Sequence, residues 1–95
     1  MEQIQWMQGM TMNMKNICSM HMDKPMMQEL MHMSESLHMN CCQMQAHQDV
    51  MMMEPMMRAL ECAIMEMDVH NDKHKMAMKH MMQYMMLMQQ RMMQS

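Results

Sequence analysis

The sequence predicts an all-α protein, an antiparallel up-down-up-down four-helix bundle in which residues 1–95 form one domain. Three observations carry that expectation. One Gly and two Pro in 95 residues leave few places for turns. Met, Gln, Glu, Lys, Ala and Leu dominate, and all are good helix formers. Apolar residues recur at alternating spacings of three and four, the period of a helix that buries one stripe.

The punctuation divides the chain into four segments. The first is expected from Glu2 to Met20 and is broken by His21-Met22-Asp23-Lys24-Pro25. Asp23 is the candidate N-cap of the second, with Pro25 tolerated in its first turn. That segment is expected from Lys24 to Ala46, followed by the connection His47-Gln48-Asp49. Asp49 would cap a third segment reaching about Val69, in which Pro55 demands either a late start or a kink. Asn71-Asp72 should cap the fourth, which runs to the end of the chain. The predicted stripes are Met7, Met10, Met14, Ile17 and His21; then Leu30, Met33, Leu37, Cys41 and Met44; then Met53, Met57, Leu60, Ile64 and Met67; and last Met78, Met81, Met85, Met88 and Met92. Second rows beside them (Met52, Met56 and Cys62; Met82, Met86 and Met93) exceed what one seam needs and point to a homo-oligomer.

Composition removes most function classes. The formal net charge is −3, no basic stripe exists, and Trp6 and Tyr84 are the only aromatics besides His, so nucleic acid is not an expected partner. The longest apolar runs fall far below the ~20 residues needed to span a bilayer. MEQIQWMQGM lacks the basic flank and apolar stretch of a signal peptide. A cytoplasmic location is expected, with the mature form of a periplasmic protein as the alternative. No nucleophile with an oriented base and no phosphate-binding Gly loop is present, so the chain does not read as an enzyme. Haem lacks a C-x-x-C-H motif, and the Glu35…His38 spacing of a di-iron site occurs only once.

What remains is sulfur. Methionine supplies 29 residues, against 9 for Leu, Ile and Val together. Met specifies packing poorly and loses more entropy on burial than Leu or Ile, so a core built for stability alone would not choose it so often. Thioethers and thiolates select soft Cu(I), whereas zinc prefers closely spaced Cys and His pairs that this sequence lacks. Cys18, Cys41, Cys42 and Cys62 are too few for a disulfide scaffold and are expected as reduced thiols. Candidate ligands are Met7, Met10, Met14, Cys18, His21, Met31, Met33, His38, Cys41, Met53, Met56, Met57, Cys62, Met67, His74, Met78, Met81, Met82, Met85, Met88 and Met92. Cys18 with His21, His38 with Cys42, and His74 with Met78 lie three or four apart, on shared helix faces. One bundle end should gather Met20, His21, Met22, His70, His74 and Met76 into a mouth for copper ions.

This pattern resembles the bacterial copper storage proteins, four-helix bundles lined with Cys that load many Cu(I) ions. The likeness is best from Met53 onward. Met53, Met56, Leu60, Ala63 and Met67 stand where a run of cysteines would fall, His70 and His74 flank the turn, and Met78, Met82 and Met85 continue the spacing. Almost every expected Cys is Met. The resemblance implies a Cu(I) store or buffer, a homotetramer, and a lumen lined by Met53, Met56, Met67, Met78, Met82 and Met85. Cys18, Cys41 and Cys62 would be its tightest single ligands. Two other readings compete: a Met-faced helical interaction module, and a sulfur reserve or oxidant sink without specific metal binding.

Overall fold

The computed structural model describes residues 2–43, 51–67 and 69–93, and every regular element among them is helical. The helices are α1 (Glu2–Ser19), α2 (Pro25–Cys42), α3 (Glu54–Glu66) and α4 (Asp72–Met93).

Each boundary has a local chemical cause. Pro25 begins α2 because a missing N–H costs nothing at the first helical position. The N-cap is the extended Lys24, which makes no side-chain cap bond. The expected Asp23 cap is thereby corrected: that carboxylate turns away and meets His74 instead. Helix α2 stops at Cys42, where the Gln43 amide bonds back to the Met39 and Asn40 carbonyls, and the expected end at Ala46 lies outside the described residues. The expected core residue Met44 and cap Asp49 lie outside the described residues.

Pro55 enforces a late start, not a kink. A 3-10 turn over 51–53 leads into α3 at Glu54, which puts Pro55 in the first turn. Glu54 and Arg58 then form an i,i+4 ion pair at 2.6 Å. The helix ends at Glu66, short of the expected Val69, because Met67 turns to extended backbone. Asn71 caps α4 as the sequence predicts, its Oδ1 accepting from the Lys73 amide at 2.7 Å. Asp72 in the first turn and Arg91 in the last complement the helix dipole.

The helices form a four-helix bundle in which α1 packs on α2 and α4, and α3 packs on α2 and α4. Polar contacts pin the periphery. Gln3 Nε2 donates to the Arg91 carbonyl at 3.3 Å, and the Arg91 guanidinium lies 4.5 Å from the centre of the Trp6 ring. Gln89 donates to Glu61 at 2.8 Å across α3 and α4.

Buried side chains follow the three-four period closely. They are Ile4, Met7, Met10, Met14 and Cys18 on α1, with Thr11 beside them. On α2 they are Met27, Leu30, Ser34, Leu37 and Cys41. Met53 precedes Met57, Leu60 and Ile64 on α3, and α4 contributes His74, Ala77, Met81, Met85, Met88 and Met92. Five stripe positions differ from expectation. Cys18 is buried in place of Ile17, Ser34 in place of Met33 and Ala77 in place of Met78, while His21 and Met67 are only half-buried. At the first three the true stripe keeps its spacing and passes through a smaller or more polar residue than its apolar neighbour.

Leu60 is 1% exposed and sits where α3 meets the rest of the core. Leu60→Ala should lower unfolding free energy by about 2–5 kcal/mol in a urea titration. Met57→Leu, which conserves volume, should change it by less than about 1.5 kcal/mol. Equal effects from the two would show that this interior is not packed as described.

Candidate metal centre

Thioethers build most of the interior. Met7, Met10 and Met14 of α1, Met53 and Met57 at the start of α3, and Met81, Met85, Met88 and Met92 of α4 belong to one buried cluster. The three-four spacing places them there, since each successive Met falls on the same helix face. Within this cluster the Cys18 thiol donates to Met81 Sδ at 3.3 Å, joining α1 to α4 through two sulfur atoms.

The environment of that pair is dry. Burial pushes the Cys18 thiol up to about 11, and the nearby Ser34 hydroxyl offsets only part of the rise. Ser34 Oγ is fully buried and, among the described residues, has no hydrogen-bond partner in bonding geometry. Cys41 is raised to about 11 as well, by burial first and then by the adjacent Cys42. Its Sγ lies 3.7 Å from the Ile4 carbonyl.

The candidate ligands divide by depth. Met7, Met10, Met14, Cys18, Cys41, Met53, Met57, His74, Met81, Met85, Met88 and Met92 are buried. Half-buried are His21, Met31, Met33, His38, Met56, Met67, Met78 and Met82. Cys62 is exposed and stands apart from the interior sulfurs. Of the six Met expected to line a lumen by resemblance, Met53 and Met85 are therefore inside, while Met56, Met67, Met78 and Met82 form a shallower layer packed against the core. Met27, only 1% exposed, was not among the candidates. Its spacing of three before Leu30 is the signal that identifies it.

Two of the residues expected at one bundle end lie against each other. The His21 and His74 rings meet edge to face, 5.3 Å between centroids, and His74 Nε2 lies 3.2 Å from Asp23 Oδ1. Partial desolvation raises the Asp23 carboxyl, but the His74 bond, its own backbone bond and the neighbouring Lys24 charge together hold it below its ordinary value. Met20 and Met76 are more than half exposed and Met22 is half-buried, so they stand nearer the solvent than His74. At another point of the surface, His38 Nε2 approaches Cys42 Sγ at 3.5 Å, and His38 Nδ1 meets the Thr11 hydroxyl at 2.9 Å.

Among the described residues no group of three or more His, Cys, Asp and Glu side chains is arranged to hold a metal ion. No described helix is long and apolar enough to cross a membrane.

Two thiols are buried and two exposed, which makes thiol chemistry a direct check. A disulfide reagent near neutral pH should titrate Cys42 and Cys62 quickly, with Cys18 and Cys41 reacting at least about a hundredfold more slowly until the protein unfolds. Because burial favours the neutral thiols, the unfolded chain loses those protons first. Stability should therefore fall as pH rises from the ordinary thiol value of 9.0 to about 11. Replacing Cys18 and Cys41 together by Ala should flatten that alkaline limb in a pH series of urea melts.

The chain matches no protein-family model, and no curated protein or solved structure is similar to it.

Proposed function

We propose that this protein is a non-enzymatic Cu(I)-binding bundle that stores or buffers the ion through Met thioethers, helped by Cys and His. The observation that carries the reading is the buried sulfur cluster in which Met and Cys of α1 lie with Met of α3 and α4, closed by the Cys18–Met81 contact. Soft, neutral donors of this kind favour Cu(I) over magnesium, calcium or manganese, which prefer oxygen.

Charge orders the sites. At Cys18 a Cu(I) ion would take the place of the thiol proton now directed at Met81, so the buried charge is unchanged. An ion held by thioethers alone adds a full positive charge to a region of low dielectric, at a considerable desolvation cost. The thiolate positions therefore bind tightly and with strong pH dependence, whereas the Met positions bind more weakly and displace no proton. Among the Met positions, the shallower layer (Met56, Met67, Met78 and Met82) carries the lower cost, because it lies closer to water.

A second reading, an interaction surface, draws on a different observation. Met20, Met52, Met65, Met86 and Leu87 are exposed apolar side chains around the outside of the bundle. Association of copies of the chain through such side chains would fit the homotetramer that the copper-storage resemblance implies, and sedimentation at several protein concentrations reports it.

Anaerobic titration of reduced protein against a calibrated Cu(I) chelator tests the main proposal. Uptake should exceed the four ions that four thiols could hold. The excess should change little between about pH 5 and about pH 8. Uptake that stops at four, with a steep pH dependence throughout, would overturn the thioether reading. Substituting Met81, Met85 and Met88 together by Leu should lower the copper capacity while leaving a folded bundle.

A further inference from the structure

A second kind of site lies on the bundle surface, and its argument does not depend on the sulfur interior. Thr11 Oγ1 sits 3.0 Å from the Met7 carbonyl and 3.1 Å from the Gln8 carbonyl. Carbonyl oxygens only accept, so the hydroxyl directs its single proton at them, as helical Thr commonly does toward the preceding turn. With the proton so directed, its lone pair faces His38 Nδ1 at 2.9 Å and accepts a ring N–H there. In that pairing the neutral imidazole carries its proton on Nδ1. The bare lone pair of Nε2 is left facing Cys42 Sγ, 3.5 Å away. A buried hydroxyl (Thr11 is 0% exposed) thus orients an imidazole on a neighbouring helix, the arrangement by which metal-ligating histidines are usually held.

The donor spacing suits a metal. With metal–nitrogen near 2.0 Å and metal–sulfur near 2.3 Å, the two donors stand roughly 3.5 Å apart at a tetrahedral angle and about 4.3 Å apart when linear. The observed separation lies at the closed end of that range, and Cys42 is exposed at the terminus of its helix, free to open it. Cys42 is also the last residue of α2, whose final turn holds no basic side chain, so the negative end of the helix favours a cation there. The same field works against a free thiolate acting as a nucleophile.

We infer that His38 Nε2 and Cys42 Sγ form a two-coordinate capture site for Cu(I) on the surface of the bundle, with Thr11 as its positioning residue. Two donors satisfy Cu(I), whereas zinc asks for four, and no third His, Cys, Asp or Glu joins these two among the described residues. On binding, the Cys42 thiol releases its proton to solvent, His38 keeps the proton on Nδ1, and no electron moves. Cys41, the next residue, carries its sulfur inward, so an ion released from Cys42 has a buried thiol one residue away.

The molecule contains its own control, because Cys62 is exposed and makes no such pair among the described residues. Reduced wild-type protein given Cu(I) beyond what its two buried thiols can hold, under anaerobic conditions, is pulsed with iodoacetamide, and each cysteine is read by peptide mass mapping. Alkylation of Cys42 should slow by at least about tenfold while Cys62 slows less than about twofold. His38→Ala should abolish that difference, and Thr11→Val should weaken it. Equal slowing at both cysteines, or a Cys42 rate unchanged by copper, overturns the inference, as does equal protection by Zn(II). Total capacity separates this inference from the storage reading. Selective protection of Cys42 with uptake of four ions or fewer leaves the surface site standing alone. Uptake beyond four with Cys42 unprotected leaves only the interior store.

Discussion

A thioether is the one sulfur donor that a dry bundle can bury without a charge or a labile proton. The organisation of this molecule depends on that property. Met7, Met14, Met81, Met85 and Met88 can all be 0% exposed in one cluster because none of them demands a hydrogen bond or an ion pair. A comparable number of buried thiolates or imidazoles would need charge or hydrogen-bond partners. The two buried thiols show the contrast, since both are driven up to about 11.

Soft packing of this kind needs rigid surroundings. Met side chains re-pack easily and hold one arrangement poorly, so other contacts must fix the helices. The Asn71 cap, the Arg91–Trp6 stack, the Gln3–Arg91 bond and the Gln89–Glu61 bond all lie at helix ends or toward the surface. Helix α2 contributes differently. Its buried stripe is Met27, Leu30, Ser34, Leu37 and Cys41, so branched aliphatic side chains alternate with small polar ones. Helices α1 and α4 thus present mainly sulfur, while α2 and α3 set Leu or Ile among it and offer a firmer wall.

Helix identity and number were legible because composition and period agree along most of the chain. The Asn71 cap could be read because Asn-Asp directly precedes a long helix-forming run. The Asp23 cap could not, because a distant partner, His74, competes for the same carboxylate and no local pattern records it. Inside the stripes the difficulty was substitution by size. With Met available at 33 and 78, apolarity favoured those positions, while the geometric period ran through Ser34 and Ala77. Two adjacent Met rows look alike in sequence, so the depth of Met56 or Met82 becomes visible only when the helices are placed together. The His38–Cys42 pair was visible as a spacing of four, but Thr11 lies 27 residues from His38 and gave no sign of its part.

Ser34 carries a consequence for how the interior answers to charge. A hydroxyl held in a dry core with nothing to bond costs about 1–3 kcal/mol, and alanine at that position would avoid it. The group is nevertheless close enough to Cys18 to favour its deprotonated form. An O–H rotor needs no rearrangement of the backbone to swing its dipole onto a sulfur that has become anionic. The resting bundle therefore holds one ready-made solvating group beside a buried thiol. Frustration in the neutral state becomes accommodation in the ionised one.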